Sequence, residues 1–145
     1  FEKLRMAADK LKENGKAPVI HQLNMGPSRR YRIRADWTSA FFQVGGFKLL
    51  NEDDYETNAD AVEALSKSGA KIAVITSDDE TYANTVEDLT KAIKDSCGEV
   101  AVYVAGAPGD KEAAWRAAGV DGFVNIRVNN YELNRQLLKS LGASL

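Results

Sequence analysis

Four arginines within six residues are the densest group of side chains in the sequence that could do chemistry. Arg29, Arg30, Arg32 and Arg34 lie in the stretch 24–36, between a short apolar run and a helical pattern. Guanidinium groups make paired, charge-assisted hydrogen bonds, so the cluster could recognise a phosphate or a carboxylate on a partner chain. Charge runs on helices are also commonly a plain solvated face, which is the simpler interpretation.

Two acidic clusters, Glu52–Asp54 and Asp78–Glu80, could offer oxygen ligands to a cation. Placement at the N-terminus of a helix explains such residues without a bound ion. The single histidine, His21, lies within a predicted strand, and the single Cys97 excludes an internal disulfide and a cysteine-rich metal cluster. We therefore expect no metal site and no catalytic residue, and a lone cysteine fits a cytoplasmic protein.

Size and charge limit the classes of protein that the chain can belong to. Its 145 residues, 44% of them apolar, suit one domain spanning 1–145. The 19 basic and 21 acidic side chains give a net charge of −2, so nucleic acid is not an expected partner. No apolar run is long enough to span a membrane. Because the sequence starts without Met, we expect it to be a piece of a longer chain.

Helical and strand patterns alternate along the sequence. Apolar residues at helical spacing predict an N-terminal helix over 1–14, and β-rich apolar runs alternating with further helical patterns follow it. Strict alternation favours parallel pairing with helices on both faces of one sheet. The sequence predicts an α/β flavodoxin-like three-layer sandwich with an extra N-terminal helix and a five-stranded parallel sheet in the order 2-1-3-4-5. The predicted strands are 17–23, 47–50, 71–76, 99–105 and 122–125, and the later helices are 28–44, 57–67, 80–96, 110–118 and 129–141.

The helix that carries the arginines has a clear apolar pattern. Ile33, Trp37, Phe41 and Val44 recur at helical spacing with Ala40 beside them. This spacing predicts that these five residues form the buried face of the helix.

The loops after strands one, three and four are the expected ligand site of such a sheet. A flavin phosphate site needs several backbone N–H donors at the helix N-terminus, and Met25–Ser28 offers one glycine and one serine, while Pro27 removes a donor. A phosphoacceptor receiver domain needs an acidic pair after strand one, an Asp after strand three and a Lys after strand five. Only Asp78 or Asp79 fits that set, since Arg127 replaces the lysine.

Three segments carry a resemblance to a known family. They are Phe41–Phe47 (FFQVGGF), Ile75–Asp78 (ITSD) and Ala117–Phe123 (AAGVDGF). With them, the chain resembles the cobalamin-binding domain at the C-terminus of acyl-CoA mutases, which has the same five-stranded fold. In that family an Asp-x-His-x-x-Gly motif after strand one supplies a histidine to cobalt, and the loops after strands three and four border the nucleotide tail.

The cobalamin motif of that family is altered in this sequence. Counting back without gaps from Gly46–Phe47, the Asp position falls on Arg29, the His position on Tyr31 and the Gly position on Arg34. A tyrosine hydroxyl does not replace an imidazole as a cobalt ligand, and loss of the Asp removes the group that would orient it. We expect no bound cofactor. Tyr31 either fills the vacated space, which we favour, or covers the sheet edge. The corresponding tail-pocket positions are Thr76, Ser77, Asp78, Ala105 and Gly106.

An altered cobalamin loop on a mutase-like domain resembles the small, non-catalytic subunits of heterodimeric methylmalonyl-CoA mutases. The turn 24–27, the segment 34–36 and Phe41–Phe47 look like those subunits in particular. The resemblance implies a structural partner for a catalytic large subunit that holds adenosylcobalamin and interconverts methylmalonyl-CoA and succinyl-CoA. Two alternatives stay open: a domain that binds cobalamin without a histidine ligand, and a receiver-like signalling domain that uses Asp78 or Asp79.

Overall fold

Strands and helices alternate through all 145 residues, each of which the computed structural model describes. The strands are β1 (Val19–Met25), β2 (Lys48–Leu50), β3 (Asp54–Tyr55), β4 (Ile72–Thr76), β5 (Ala101–Ala105) and β6 (Gly122–Val124). The helices are α1 (Glu2–Glu13), α2 (Ser28–Gln43), α3 (Asn58–Ser68), α4 (Asp79–Ala83), α5 (Val86–Cys97), α6 (Glu112–Ala118) and α7 (Asn130–Ser140), with a 3-10 turn at Gly109–Lys111. None of these helices is both long and apolar enough to cross a membrane.

The sheet is parallel throughout and confirms the predicted fold class and strand order. Its order is β2-β1-β4-β5-β6, which is the predicted 2-1-3-4-5 path. The prediction of five strands was wrong by one, because Asn24 and Met25 at the end of β1 pair with Asp54 and Tyr55 of β3. β1 has seven residues and β2 only three, so β1 extends past β2 and pairs with a second short strand at the same edge.

Each face of the sheet is covered by helices over its own core. On β4, Ala73 and Ile75 belong to a core cluster of 18 buried residues under α3, α5 and α6. Ile72 and Val74 belong to a second cluster of 15 under α1, α2 and α7. Successive side chains of a strand point to opposite faces, which explains why this central strand is apolar at every position.

The buried side of α2 differs from the predicted one. Phe41 is buried as expected, but Ile33 and Trp37 are exposed. The helix instead turns a partly polar side toward β1, where the Ser39 hydroxyl donates to the side-chain carbonyl of Gln22 at 3.0 Å. Hydrogen bonding to buried polar groups of the strand therefore decides the orientation of α2. Its buried residues are Tyr31, Ala35, Thr38, Ser39, Phe41 and Phe42.

The single helix predicted over 80–96 is two helices, α4 and α5. The backbone N–H groups of Asn84 and Thr85 bond the carbonyls three residues earlier, at 3.2 and 3.1 Å, which closes α4 as a tight turn. Tyr82 of α4 is fixed against the sheet, since its hydroxyl donates to the Ala105 carbonyl at 2.6 Å and accepts from the Ser77 N–H at 3.0 Å. α5 then packs its own apolar side on the sheet.

Candidate functional site

The candidate site lies where β1, β4 and β5 end, at the usual ligand edge of a parallel sheet. β1 extends to Met25 and α2 starts at Ser28, so only Gly26 and Pro27 connect them. The stretch 24–36 is thus a strand end, a two-residue turn and the start of a helix, and β1 extends two residues past the predicted strand. Gly26 has φ +84, a conformation that other residues rarely adopt, and this allows the chain to turn sharply into α2.

Arg34 bridges the segments that follow β4 and β5. Its guanidinium donates to the Ser77 carbonyl at 3.0 Å and pairs with Asp79 at 2.9 Å. It also lies over the Tyr82 ring, with 5.3 Å between the guanidinium carbon and the ring centroid. A Cβ placed on Gly106 would be 3.2 Å from this guanidinium carbon, so the arginine rests directly on the glycine backbone. Arg34 therefore packs against one side of Gly106 and occupies part of the space beside it.

Arg30 makes a second bridge, between α2 and the start of α4. It donates to Asp78 at 2.9 Å and lies 3.6 Å from a Glu80 carboxylate oxygen. Asp78 also accepts from the Thr81 N–H at 2.9 Å and thereby caps α4. The hydrogen bond from Thr81, together with the Arg30 charge, lowers the pKa of Asp78 below its usual value. Two of the four arginines are thus engaged within the domain, while Arg29 and Arg32 are exposed.

Tyr31 lies on the β3 side of α2. It is buried, and its hydroxyl donates to an Asp54 carboxylate oxygen at 2.9 Å. Burial and this hydrogen bond raise the pKa of Tyr31. The side chain that lies against Gly106 is that of Arg34 rather than that of Tyr31.

The remaining predicted site residues are engaged in the fold. The Ser77 hydroxyl donates to the Met25 carbonyl at 2.8 Å, and Thr76 donates to the side chain of Asn24. The Ala105 carbonyl accepts from Tyr82, and the Gly106 carbonyl accepts from Asn125 at 3.2 Å. These groups tie the strand ends together, so none of these hydroxyls or carbonyls is without a partner.

Sequence reasoning missed a buried polar network beneath α2. The Gln22 amide donates to the Ala35 carbonyl at 3.1 Å, and the Asn51 amide donates to the Ser39 hydroxyl at 2.9 Å. The Asn24 amide donates to the backbone carbonyls at 51 and 53, at 3.1 and 3.0 Å. The signal was present, since Gln22 and Asn24, like His21, are polar residues in a strand that is buried along most of its length.

His21 is a buried strand residue with both ring nitrogens bonded, as its position in the strand predicted. Nδ1 lies 3.0 Å from the Ser68 hydroxyl, and Nε2 lies 3.0 Å from the Tyr55 hydroxyl. Ser68 donates its own hydrogen to the Leu65 carbonyl at 2.8 Å, so Nδ1 carries the ring hydrogen and Nε2 accepts from Tyr55. Burial lowers the pKa of His21, partly offset by Asp53. Both nitrogens are occupied and therefore not placed to ligate a metal.

An apolar surface lies beside the arginine bridges, and we call it the edge patch: Ile33, Trp37 and Ile126. Ile33 is 86% exposed, Trp37 39% and Ile126 89%. The three surround a shallow depression of about 230 Å³ whose floor includes Gly106 and Val124. Such a surface can hold apolar groups, and it lacks a nucleophile paired with a base.

Together these features define a flavodoxin-like α/β domain whose ligand edge is crossed by two arginine bridges. Solved structures share this fold at low sequence identity. A cobalamin-binding protein from Desulfitobacterium hafniense DCB-2 aligns with a TM-score of 0.64 and 17% identity, covering 95% of this chain and 66% of that one. A CheY-like protein from Pseudomonas aeruginosa PAO1 aligns with a TM-score of 0.62 and 15% identity, covering 88% of this chain and 95% of that one. Both likenesses concern the fold alone.

Curated relatives are similar in sequence over most of the chain. The methylmalonyl-CoA mutase small subunit of Porphyromonas gingivalis (strain ATCC BAA-308 / W83) is 31% identical over 142 residues, which are 98% of this chain and 22% of that protein. The protein of the same name from Streptomyces virginiae is 31% identical over 107 residues, 73% of this chain and 17% of its own length. The chain thus spans about a fifth of these relatives. No protein-family model matches it.

Proposed function

We propose that this chain is the C-terminal, cobalamin-binding-like domain of a methylmalonyl-CoA mutase small subunit. In this proposal it is a structural partner of a catalytic large subunit, and that large subunit holds adenosylcobalamin and isomerises methylmalonyl-CoA and succinyl-CoA. The heterodimer is cytoplasmic, and the domain alone is inactive. The support is the similarity to two small subunits over most of the chain and a fold shared with a cobalamin-binding protein.

The side chains at the sheet edge do not fit a cobalamin. A histidine ligand to cobalt would need a free imidazole, but His21 is buried within β1 with both nitrogens bonded. Tyr31, at the position where the resemblance places that histidine, is buried with its hydroxyl on Asp54. We therefore assign no residue of this chain to cobalt or to the nucleotide tail.

The single structural observation that carries the expected absence of cobalamin from this domain is the position of Arg34. The nucleotide tail would have to approach Gly106, and the guanidinium packs against this glycine while it bonds Ser77 and Asp79. Admitting a ligand there would break both bonds and the contact with the Tyr82 ring. A charged group that is well bonded in the free domain opposes ligand entry, because displacing it costs those interactions without replacing them.

The contacts of the arginines also argue against a receiver-like function. Asp78 caps α4 and pairs with Arg30, and Asp79 pairs with Arg34. Both carboxylates are paired with arginines, and the start of α2 offers arginines where a receiver has acidic residues.

The heterodimer can be tested by reconstitution. The complete small subunit that carries this domain is mixed with the large subunit, and the complex is isolated by gel filtration. We expect one adenosylcobalamin per heterodimer by its visible absorbance, all of it retained by the large subunit when the subunits are separated. Two cofactors per heterodimer, or cofactor bound by the small subunit alone, would contradict the proposal and favour a cobalamin domain without a histidine ligand.

A further inference from the structure

The two open edges of the sheet differ in how they are protected. At one edge, β2 carries the exposed Lys48, and β3 replaces β2 along β1, so no long open strand is presented. At the other edge, β6 consists of Gly122, Phe123 and Val124, without a charge or a proline. Proteins block open edges with charges, prolines or interruptions, because an unblocked edge can pair with another strand. β6 therefore needs protection from outside the strand.

The open backbone groups of β6 follow from its pairing with β5. The carbonyl of Val124 accepts from the Gly106 N–H at 2.8 Å, so the backbone groups of Val124 face β5. Neighbouring residues of a strand direct their backbone groups to opposite edges, so those of Phe123 face away from β5. Phe123 and Tyr103 line a groove of about 620 Å³ that α6 and α7 border. Gly122 leaves room for the tyrosine ring, since a Cβ there would lie 2.6 Å from it.

Arg116 of α6 lies on this open edge. Its guanidinium donates to the Asp121 carbonyl at 3.2 Å, and its guanidinium carbon lies 5.1 Å from the centroid of the Phe123 ring. Glu112, one turn earlier on α6, accepts from Arg116 Nε at 2.9 Å and holds the side chain in place. Asp121 precedes Phe123 by two residues, so the carbonyls of both residues belong to the same edge. A strand added to β6 would need these groups, and Arg116 already engages them.

A second copy of the chain fits this edge. Two β6 strands that pair antiparallel about a two-fold axis at Phe123 form a contact in which each copy supplies the same surface. Because the two strands run in opposite directions, such pairing brings Asp121 of each copy toward Arg127 of the other. Arg127 is exposed and lines the same groove. The edge is therefore complementary to itself in charge.

We propose that Arg116 is an autoinhibitory contact that keeps the β6 edge from pairing with the β6 edge of a second copy. An added strand must first displace the guanidinium from the Asp121 carbonyl and from the Phe123 ring, and a two-fold contact displaces two such groups. Each displacement costs a hydrogen bond and an arginine–ring contact, which together weaken association by roughly tenfold or more. The proposed function assigns no role to α6 or β6.

Arg116→Met tests this contact in the 145-residue chain, which has a core of its own on each face of the sheet. Arg135→Met is the matched control, because Arg135 lies near Glu132 of its own helix but does not line the groove. Sedimentation equilibrium at several protein concentrations gives the dissociation constant of a dimer, or its lower limit for a monomeric chain. We expect Arg116→Met to lower this constant at least about tenfold, and Arg135→Met to change it less than about twofold.

Two further measurements locate the contact. Hydrogen exchange of the Phe123 amide should slow when Arg116→Met is concentrated, because this N–H gains a partner strand. Adding Arg127→Asp to Arg116→Met should raise the dissociation constant at least about threefold, since two carboxylates would then meet at each end of the paired strands. Arg127 is exposed, so its replacement leaves the core intact.

Equal self-association of Arg116→Met and the wild-type chain would overturn the proposal, as would a wild-type chain that already pairs through β6. An equal gain in Arg135→Met would show that the effect is not specific to the edge. A dimer with unchanged exchange at Phe123, or one that Arg127→Asp leaves intact, would place the contact elsewhere and would also overturn the proposal. None of these results depends on cobalamin or on a large subunit, so failure here leaves the proposed function standing.

Discussion

Replacing Arg34 by methionine removes the group that closes the sheet edge while keeping much of the apolar stem. Three interactions are lost: the hydrogen bond to the Ser77 carbonyl, the contact with the Tyr82 ring and the ion pair with Asp79. Their contributions to stability differ, because the side chain of Arg34 is 32% exposed whereas that of Asp79 is 78% exposed. The ion pair is therefore the weakest of the three.

The expected cost follows from general values for such contacts. The hydrogen bond contributes about 1 kcal/mol, and the arginine–ring contact about 0.5–1 kcal/mol. An exposed ion pair contributes at most about 0.5 kcal/mol after screening by solvent. We expect Arg34→Met to lower the free energy of unfolding by about 2 kcal/mol in total, and Asp79→Asn to lower it by no more than about 0.5 kcal/mol.

Urea unfolding followed by circular dichroism measures both effects. With a slope of about 2 kcal/mol per molar urea, Arg34→Met should lower the midpoint by about 1 M. Arg29→Met is the matched control, since Arg29 is exposed and makes no ion pair, and it should change stability by less than about 0.5 kcal/mol. If Arg34→Met and Arg29→Met unfold at the same midpoint, Arg34 does not close the edge. If Asp79→Asn costs as much as Arg34→Met, the ion pair rather than the packing over Gly106 holds the arginine.

Two further predictions concern the interior. Gly45→Ala should lower the free energy of unfolding by about 1–3 kcal/mol by overpacking, because an added Cβ would overlap the side-chain amide of the buried Asn134. An unchanged urea midpoint would contradict this contact. Acidification should destabilise the domain through His21, the only histidine, whose folded-state pKa lies below the ordinary 6.5. The stability that neutral, buried His21 contributes is fully present above pH 6.5. It is lost as the pH falls from 6.5 toward the lowered pKa of the folded state. Urea midpoints between pH 7.5 and 5.5 should therefore fall more for the wild-type chain than for His21→Gln, and equal slopes would refute the assignment.

The sequence predicted the architecture because the signals for it are local and repeated. Apolar β-rich runs alternate with helical patterns, and right-handed parallel connections leave few arrangements of such units. Strand β3 was missed because two residues carry no periodicity, and it forms only where β1 extends past β2. The break between α4 and α5 was missed because it depends on Tyr82 bonding a carbonyl of β5, which is distant in sequence.

The orientation of α2 shows where sequence reasoning reaches its limit. Its most regular apolar side, with Ile33 and Trp37, was assigned to the core on periodicity. The structure buries the side with Ser39 instead, because buried Gln22 needs hydrogen-bond partners and Ser39 supplies one. A pattern on one helix cannot reveal that requirement of a strand. The same limit applies at the candidate site. The sequence shows that residue 34 is an arginine, but it does not reveal that the side chain packs against Gly106.

Titration of the purified chain with adenosylcobalamin tests the central claim most directly. Arg34 packs against Gly106, and no free imidazole lies at the sheet edge. We therefore predict no saturable binding and no change in the visible spectrum of the cofactor at stoichiometric concentrations. Saturable binding, above all with a spectral change that reports ligand exchange at cobalt, would contradict the account.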